Sequence, residues 1–304
     1  MAFTAADVKN LREMTGVGMM DCKKALAASD GDIDKAIEFL REKGLAASAK
    51  KAGRIAAEGM AYACVIDGMG VVVEVNAETD FVGKNEKFVD FVKGVAATVA
   101  ANKPADLDAL MACKYAGGEL TVTEQQQEMV LVIGENIKVR RFFIFEDGVS
   151  VPYIHAGGKI GVLVNLEVSE GIDATEIGKD VAMQIAALNP RFWDKSQVTE
   201  DVLAEEKKIM MVQMANDPKM ANKPEQVREK IVMGKLNKFY SENCLLQQEF
   251  VKDNQFTVEK YIASAAKALG GTVTFKSAVR FEKGEGIEKK QENFADEIAK
   301  MVNG

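Results

Sequence analysis

The residue types best suited to acting on another molecule stand together at residues 74–82, EVNAETDFV. A β-rich run ends at Asn76, Thr79 and Asp80 carry side chains that cap helix N-termini, and a long helical pattern follows. Phe81 therefore falls at the lip between strand and helix. Two readings stand. Counting back seven residues from Phe88 keeps Phe81 on the apolar stripe of that helix, as core. Alternatively, the loop presents an aromatic wedge beside a carboxylate, a pair able to enter a partner's pocket and disturb a metal or phosphate there. Met19 and Met20 follow a glycine-rich turn, and adjacent methionines cannot both face one thin core. The expectation is one buried and one exposed. His155, the single histidine, ends a strand beside glycines and suits a structural or interface role better than a catalytic one. Residues 133–137 (IGENI) need only a helix C-cap to explain them, and Lys50 and Lys51 read as a solvated face.

Much chemistry is missing. The four cysteines (Cys22, Cys64, Cys113, Cys244) are far apart in sequence, which removes paired-cysteine zinc and redox motifs and points to a reducing, cytoplasmic setting. No phosphate-loop, dinucleotide, nucleophile-elbow or paired-histidine metal motif occurs, and the segment GGKIG at 157–161 lacks the second half of a phosphate loop and reads as a turn. No cofactor or metal is expected. The 304 residues carry 39 basic and 46 acidic side chains, a net charge of −7, which disfavours nucleic acid and anionic lipid as partners. Apolar runs such as MVLVI at 129–133 are far shorter than the ~20 residues a membrane span needs. The opening MAFTAADVKN has no apolar core, so no signal peptide is expected.

The elements that would hold these residues fall into modules. Residues 1–54 suggest three short helices, the third with Ile33, Ile37 and Leu40 inward, and the Ala/Lys-rich stretch 45–58 reads as a helical or mobile linker. From residue 55 the pattern changes to strands. Residues 60–67 and 71–76 form a hairpin about Gly68, and Phe88, Val92, Val95 and Val99 stripe the long helix that follows. An internal repeat then appears: GVLVNLE at 161–167 echoes GVVVEVN at 70–76, and VRFEKG at 279–284 echoes FIFEDG at 143–148. The economical fold class is α+β, with two copies of a small antiparallel sheet covered by helices: residues 55–148, and residues 149–198 with 243–282. The second copy is split by an insertion at 199–242. There Val202, Ile209 and Val212 stripe one helix and Val227, Ile231 and Leu236 the other, in an antiparallel hairpin turning at 216–224. Residues 283–304 form a C-terminal module with a final helix over 287–302.

Five ordered segments carry a resemblance that covers essentially the whole chain: LREMTGVGMMDCKKAL (11–26), EVNAETDFVGKNEKF (74–88), IGENIKVRR (133–141), IHAGGKIGVLV (154–164) and RFEKGEGIEKK (280–290). The sequence resembles the bacterial elongation factor Ts family, the nucleotide exchange factors of the GTPase elongation factor Tu. The resemblance implies a bundle similar to ubiquitin-associated domains at the N-terminus, a duplicated core, an inserted coiled-coil hairpin and a C-terminal helical module. It implies that Thr79, Asp80, Phe81 and Val82 enter the partner's GTPase domain and displace its magnesium. Arg12, Met19 and Met20 would touch the same domain, His155 the partner's third domain, and a homodimer through the hairpin is a further implied partner. The chain departs from the usual pattern at 114–122 (KYAGGELTV), read as an extra surface loop, and at Gly83, where Ala or Ser is usual. Two other classes stay open: an adaptor binding ubiquitin-like proteins, and a small-molecule enzyme on the duplicated sheet. The single histidine and the lack of a nucleophile constellation argue against the second.

Overall fold

The structure is a computed structural model that describes residues 3–217 and 223–288. Three helices come first: α1 (Ala5–Thr15), α2 (Met19–Ala28) and α3 (Ile33–Lys51). Thr4 and Asp7 close a capping box on α1, and Asp32 caps α3. Val8, Leu11, Cys22, Leu26, Ala36 and Leu40 form their small core. Ile33 and Ile37 are only partly buried, because Ala36, Leu40 and Gly44 are the residues α3 turns inward. The first half of the expected linker, residues 45–51, is helix, since α3 runs on to Lys51. It does so because the bundle leans on the body: Gly44 packs against the backbone of Gln127 in α6 (Val122–Ile133), and Leu131 and Val132 of α6 join the bundle core.

The body contains two three-stranded antiparallel sheets of one topology. The first has the order β1 (Glu58–Ile66), β2 (Met69–Ala77), β3 (Lys138–Phe145); the second has β4 (Val149–His155), β5 (Ile160–Val168), β8 (Val273–Glu282). In each, a hairpin leads to a helix and the third strand returns beside the hairpin's second strand. Asp67 and Gly68 both have positive φ (50° and 82°), the conformation of a tight hairpin turn. The covering helices are α4 (Glu86–Asn102) and α7 (Thr175–Leu188), and both end on a left-handed residue, Lys103 and Asn189.

Alternation along β2 explains the layering. Val71, Val73 and Val75 face α4, where Phe88, Val92, Val95 and Val99 meet them. Val72 faces the other way, into an inter-sheet core with Ala61, Ala63, Leu163 and Phe281. Gly70 and Gly161 lie at that interface, where a Cβ on Gly70 would come within 2.4 Å of Ser150 Oγ. The molecule is thus layered helix, sheet, sheet, helix.

Between α4 and β3 stand α5 (Leu107–Ala112) and α6. The stretch at 114–122 is tied down: Tyr115 stacks on Phe91 with ring centroids 5.8 Å apart. Between α7 and β8 come α8 (Glu200–Asn216), α9 (Glu225–Asn243), the short pair β6 (Glu249–Phe250) and β7 (Asp253–Thr257), and α10 (Val258–Ala268). The α8–α9 hairpin corrects the sequence reading of its stripe. Met214, Val232, Leu236 and Phe239 are its buried residues, while Ile209, Val212 and Val227 are exposed. The helices roll so that Phe239 and Met210 meet the cluster at Phe192 and Cys244; Leu236 and Val202 stay inward as expected, and Ile209, Val212 and Val227 turn to water. Part of the 216–224 turn, and the C-terminal module beyond Glu288 with its final helix, lie outside the described residues.

Candidate functional site

β2 and α4 do not join through a simple cap. After Ala77 the chain makes a turn, then one 3-10 turn over Val82–Lys84, and α4 begins only at Glu86 with Asn85 as its cap. The Asn85 carboxamide oxygen accepts from Lys87 N–H at 3.0 Å. Thr79 and Asp80 therefore do not cap α4, and the count back from Phe88 fails because a 3-10 turn and an extended residue intervene. Phe81 is not on the α4 stripe. It is 80% exposed, the most exposed of the large apolar side chains described.

The turn is fixed from beneath. Val82 is 6% exposed and belongs to the first sheet's core. Gly83 lies so close to β1 that a Cβ on it would stand 2.9 Å from Gly59 O. Of the four residues from 79 to 82, then, Val82 anchors the turn while Thr79, Asp80 and Phe81 face outward. Among the described residues the Asp80 carboxylate has no hydrogen-bond or ion-pair partner.

A second fastening comes from the α6–β3 junction, where residues 133–137 do more than end a helix. The Glu135 carboxylate accepts from Glu78 N–H (3.0 Å) and Thr79 N–H (2.9 Å) on Oε2, and from the Thr79 hydroxyl (2.6 Å) on Oε1. In return Asn136 N–H donates to Glu78 Oε1 at 2.6 Å. Arg54, beyond the end of α3, reaches Glu78 Oε1 at 3.5 Å, and its carbonyl accepts from Asn136 Nδ2 at 2.8 Å. Lys51 Nζ donates to Gly134 O at 2.6 Å, so Lys51 is a bonded cation rather than a solvated one. Sequence reasoning missed Glu135. Its signals were a carboxylate directly after a helix-ending glycine and its place in the segment IGENIKVRR, and nothing local says that its partners are Glu78 and Thr79.

Thr79, Asp80 and Phe81 line an open depression together with Glu58, Glu78, Lys159, Glu282 and Lys283. Lys283 is paired with Glu58 at 2.7 Å and Lys159 with Glu282 at 3.9 Å, so both lysines of the lining have a carboxylate partner. His155 is exposed at the tip of the β4–β5 hairpin, and its Nδ1 is 3.1 Å from the Tyr153 hydroxyl. Among the described residues that hydroxyl is the one side-chain hydrogen-bond partner of the imidazole.

The N-terminal candidates gather nearby. Lys87 Nζ, in the first turn of α4, donates to Gly16 O at 3.2 Å, which ties the α1–α2 turn to the start of α4. Met19 and Met20 flank that turn and are both exposed, at 51% and 65%, against the expectation that one would be buried. The small bundle is already filled by Cys22, Ala25 and Leu26 on α2, which leaves no inward place for either methionine. Arg12 is also exposed. The arrangement offers outward apolar groups on fixed turns, not a reaction centre. Among the described residues no group of His, Cys, Asp and Glu could hold a metal ion.

Residues 78–285 match the family described as Elongation factor TS. The chain is similar to elongation factor Ts of Syntrophotalea carbinolica (47% identical, covering 99% of this chain and 100% of that one). It is similar in the same way to elongation factor Ts of Clostridium kluyveri (47%; 99% and 99%) and of Clostridium perfringens (49%; 98% and 98%). With more than half of its length matched by the family and near-complete coverage of relatives at this identity, the chain belongs to the elongation factor Ts family.

Proposed function

We propose that this translation elongation factor is the guanine nucleotide exchange factor of elongation factor Tu, and that it promotes GDP release through the turn at residues 79–82. Phe81 is the wedge, Asp80 the acid presented beside it, Thr79 the exposed residue whose hydroxyl is tied to Glu135, and Val82 the anchor. Arg12, Met19 and Met20 extend the contact on the GTPase domain, and His155 touches a second part of the partner. The N-terminal bundle is ubiquitin-associated-like, the hairpin a coiled coil, and residues 283–304 a C-terminal module that docks on the GTPase domain. The setting is the cytoplasm, in keeping with four free thiols, and no described helix is long and apolar enough to cross a membrane.

The observation that carries this reading is Phe81, fully presented to water on a turn fixed on both sides. A large apolar side chain held outward in this way has little use to its own fold. The physics of exchange is linkage. A GTPase holds its nucleotide through magnesium and phosphate contacts. A factor that binds the distorted, empty site better than the loaded one must weaken nucleotide binding by the same ratio that nucleotide weakens the factor. A differential of ~5 kcal/mol moves a two-state balance by about 10⁴. Burying the Phe81 ring in the partner supplies roughly 2–3 kcal/mol of that, so other contacts must supply the rest. No bond is made or broken by the factor.

Size-exclusion chromatography with purified elongation factor Tu tests the reading. A complex is expected with nucleotide-free partner, and excess GDP should dissociate it; a complex indifferent to GDP, or none, contradicts exchange. Run without partner, the same column tests the homodimer, which would cover exposed Ile209, Val212, Val227 and Met233 on the hairpin.

A further inference from the structure

We infer that Glu135 is the positioning residue of the exchange turn: its carboxylate fixes the backbone at residues 78 and 79 and so sets the direction in which Phe81 leaves the surface. The inference rests on the proposed exchange function and assigns it a residue outside the 79–82 segment.

The geometry is specific. One carboxylate gathers three donors from two consecutive residues, Glu78 N–H, Thr79 N–H and the Thr79 hydroxyl, at 3.0, 2.9 and 2.6 Å. Hydrogen bonds to an ionised acceptor are the stronger kind. The carboxylate is itself held in place. Glu135 follows Gly134, whose left-handed backbone (φ 86°) ends α6, and Lys51 Nζ bonds the Gly134 carbonyl. Asn136 N–H closes the ring by donating back to Glu78 Oε1. The turn therefore has two fixed points, Val82 in the core and Glu135 at the junction. Between them lie only exposed Asp80 and Phe81. Freed at Glu135, residues 78–81 would be a short solvent-exposed connection with many directions open to the ring. Binding would then have to order it, and that cost would come out of the interaction with the partner.

Lys51 and Arg54 give the junction a second property. Both lie at the end of the N-terminal bundle, and both bond into the same few residues. The surface carrying Met19 and Met20 and the turn carrying Phe81 thus share one frame.

The test compares Glu135→Ala, Glu135→Gln and Phe81→Ala in the full chain. Glutamine keeps an oxygen for the two backbone donors and an amide to donate to the Thr79 hydroxyl. Two readouts are taken. Amide hydrogen exchange over residues 78–82 is followed in the free protein. The rate of GDP release from elongation factor Tu is measured against factor concentration, to separate maximal rate from half-saturation. Glu135→Ala should speed amide exchange at residues 78–80 while the sheets stay protected. It should lower the maximal release rate roughly tenfold, the scale of ordering about one backbone residue. Glu135→Gln should recover most of both. Unchanged amide exchange in Glu135→Ala overturns the inference. So does faster amide exchange with wild-type release, or an equal loss in the Ala and Gln variants, which would make charge rather than positioning the cause. Failure of the exchange reading looks different: Phe81→Ala would then release GDP at the wild-type rate, whatever Glu135→Ala does, and the positioning role would fall with it.

Discussion

Glu74 and Asn165 occupy the same place in the two halves of the core. Each lies four residues beyond the interface glycine of its central strand, Gly70 and Gly161, and each marks the point where register with the third strand shifts. Each fastens its own half to the turn that leaves the other. Asn165 Nδ2 donates to Asp147 O at 2.6 Å, in the turn after β3; Glu74 Oε1 accepts from Gly284 N–H at 2.8 Å, in the turn after β8. The chemistry differs because the duties differ. A neutral amide is enough for one carbonyl. Glu74, fully buried, also takes Arg140 Nη1 (2.9 Å) and Arg141 Nε (2.5 Å).

Removing that charge should cost stability. Glu74→Gln leaves two guanidinium groups short of their partner. The expected loss at pH 7 is about 2–3 kcal/mol, below that of a wholly buried pair because both arginines are partly exposed. Burial alone would push the Glu74 carboxyl upward, but the bonds from Gly284, Arg140, Asn76 and Arg141 outweigh it and hold it below the usual 4.5. A folded value below the unfolded one gives stability that is present above about pH 4.5 and lost as pH falls through the folded value. Urea unfolding at pH 7 and again in acid should show the wild type losing more stability than Glu74→Gln. Equal acid sensitivity in the two would contradict this assignment.

The two covering helices end alike, and the endings can be told apart by substitution. Lys103 (φ 47°) and Asn189 (φ 44°) both hold the left-handed conformation. Lysine pays for it more than asparagine does. Lys103→Gly should raise stability by up to about 1 kcal/mol, while Asn189→Gly should be near neutral or slightly unfavourable. Thermal melts of both variants decide it, and a larger gain at Asn189 would go against the account.

In the hairpin, burial rather than sequence periodicity ranks the residues. Leu236 is 5% exposed and Ile209 is 44% exposed. Leu236→Ala should destabilise the α8–α9 hairpin by about 2–4 kcal/mol. Ile209→Ser should change the monomer by no more than about 0.5 kcal/mol. Hydrogen exchange within the hairpin reads both, and the reverse order would contradict the ranking by burial.

The duplicated core was legible because a repeated string, GVVVEVN and GVLVNLE, lies on the two central strands, and strand alternation is a local property. The exposed turn was only half legible. A seven-residue count placed Phe81 on a helix face, and only the 3-10 turn at Val82–Lys84 takes it off. The bonding of Glu135 could not be read, since its three donors come from the residues that follow β2. The two methionines were misjudged because the size of the bundle core depends on how α1, α2 and α3 close around Cys22 and Leu26. Ile209 and Val212 were misjudged because a two-helix hairpin has several faces of similar pattern, and packing at Phe192 and Phe239 selects among them.

The most direct measurement is stopped-flow release of a fluorescent GDP from elongation factor Tu by the Phe81→Ala chain, set beside Asp80→Ala. Phe81→Ala should melt like the wild type, since an exposed ring does little for the fold, and should release nucleotide roughly 30- to 100-fold more slowly. Asp80→Ala should lose less, because no packing goes with it. Release by Phe81→Ala at the wild-type rate would contradict the account at its centre.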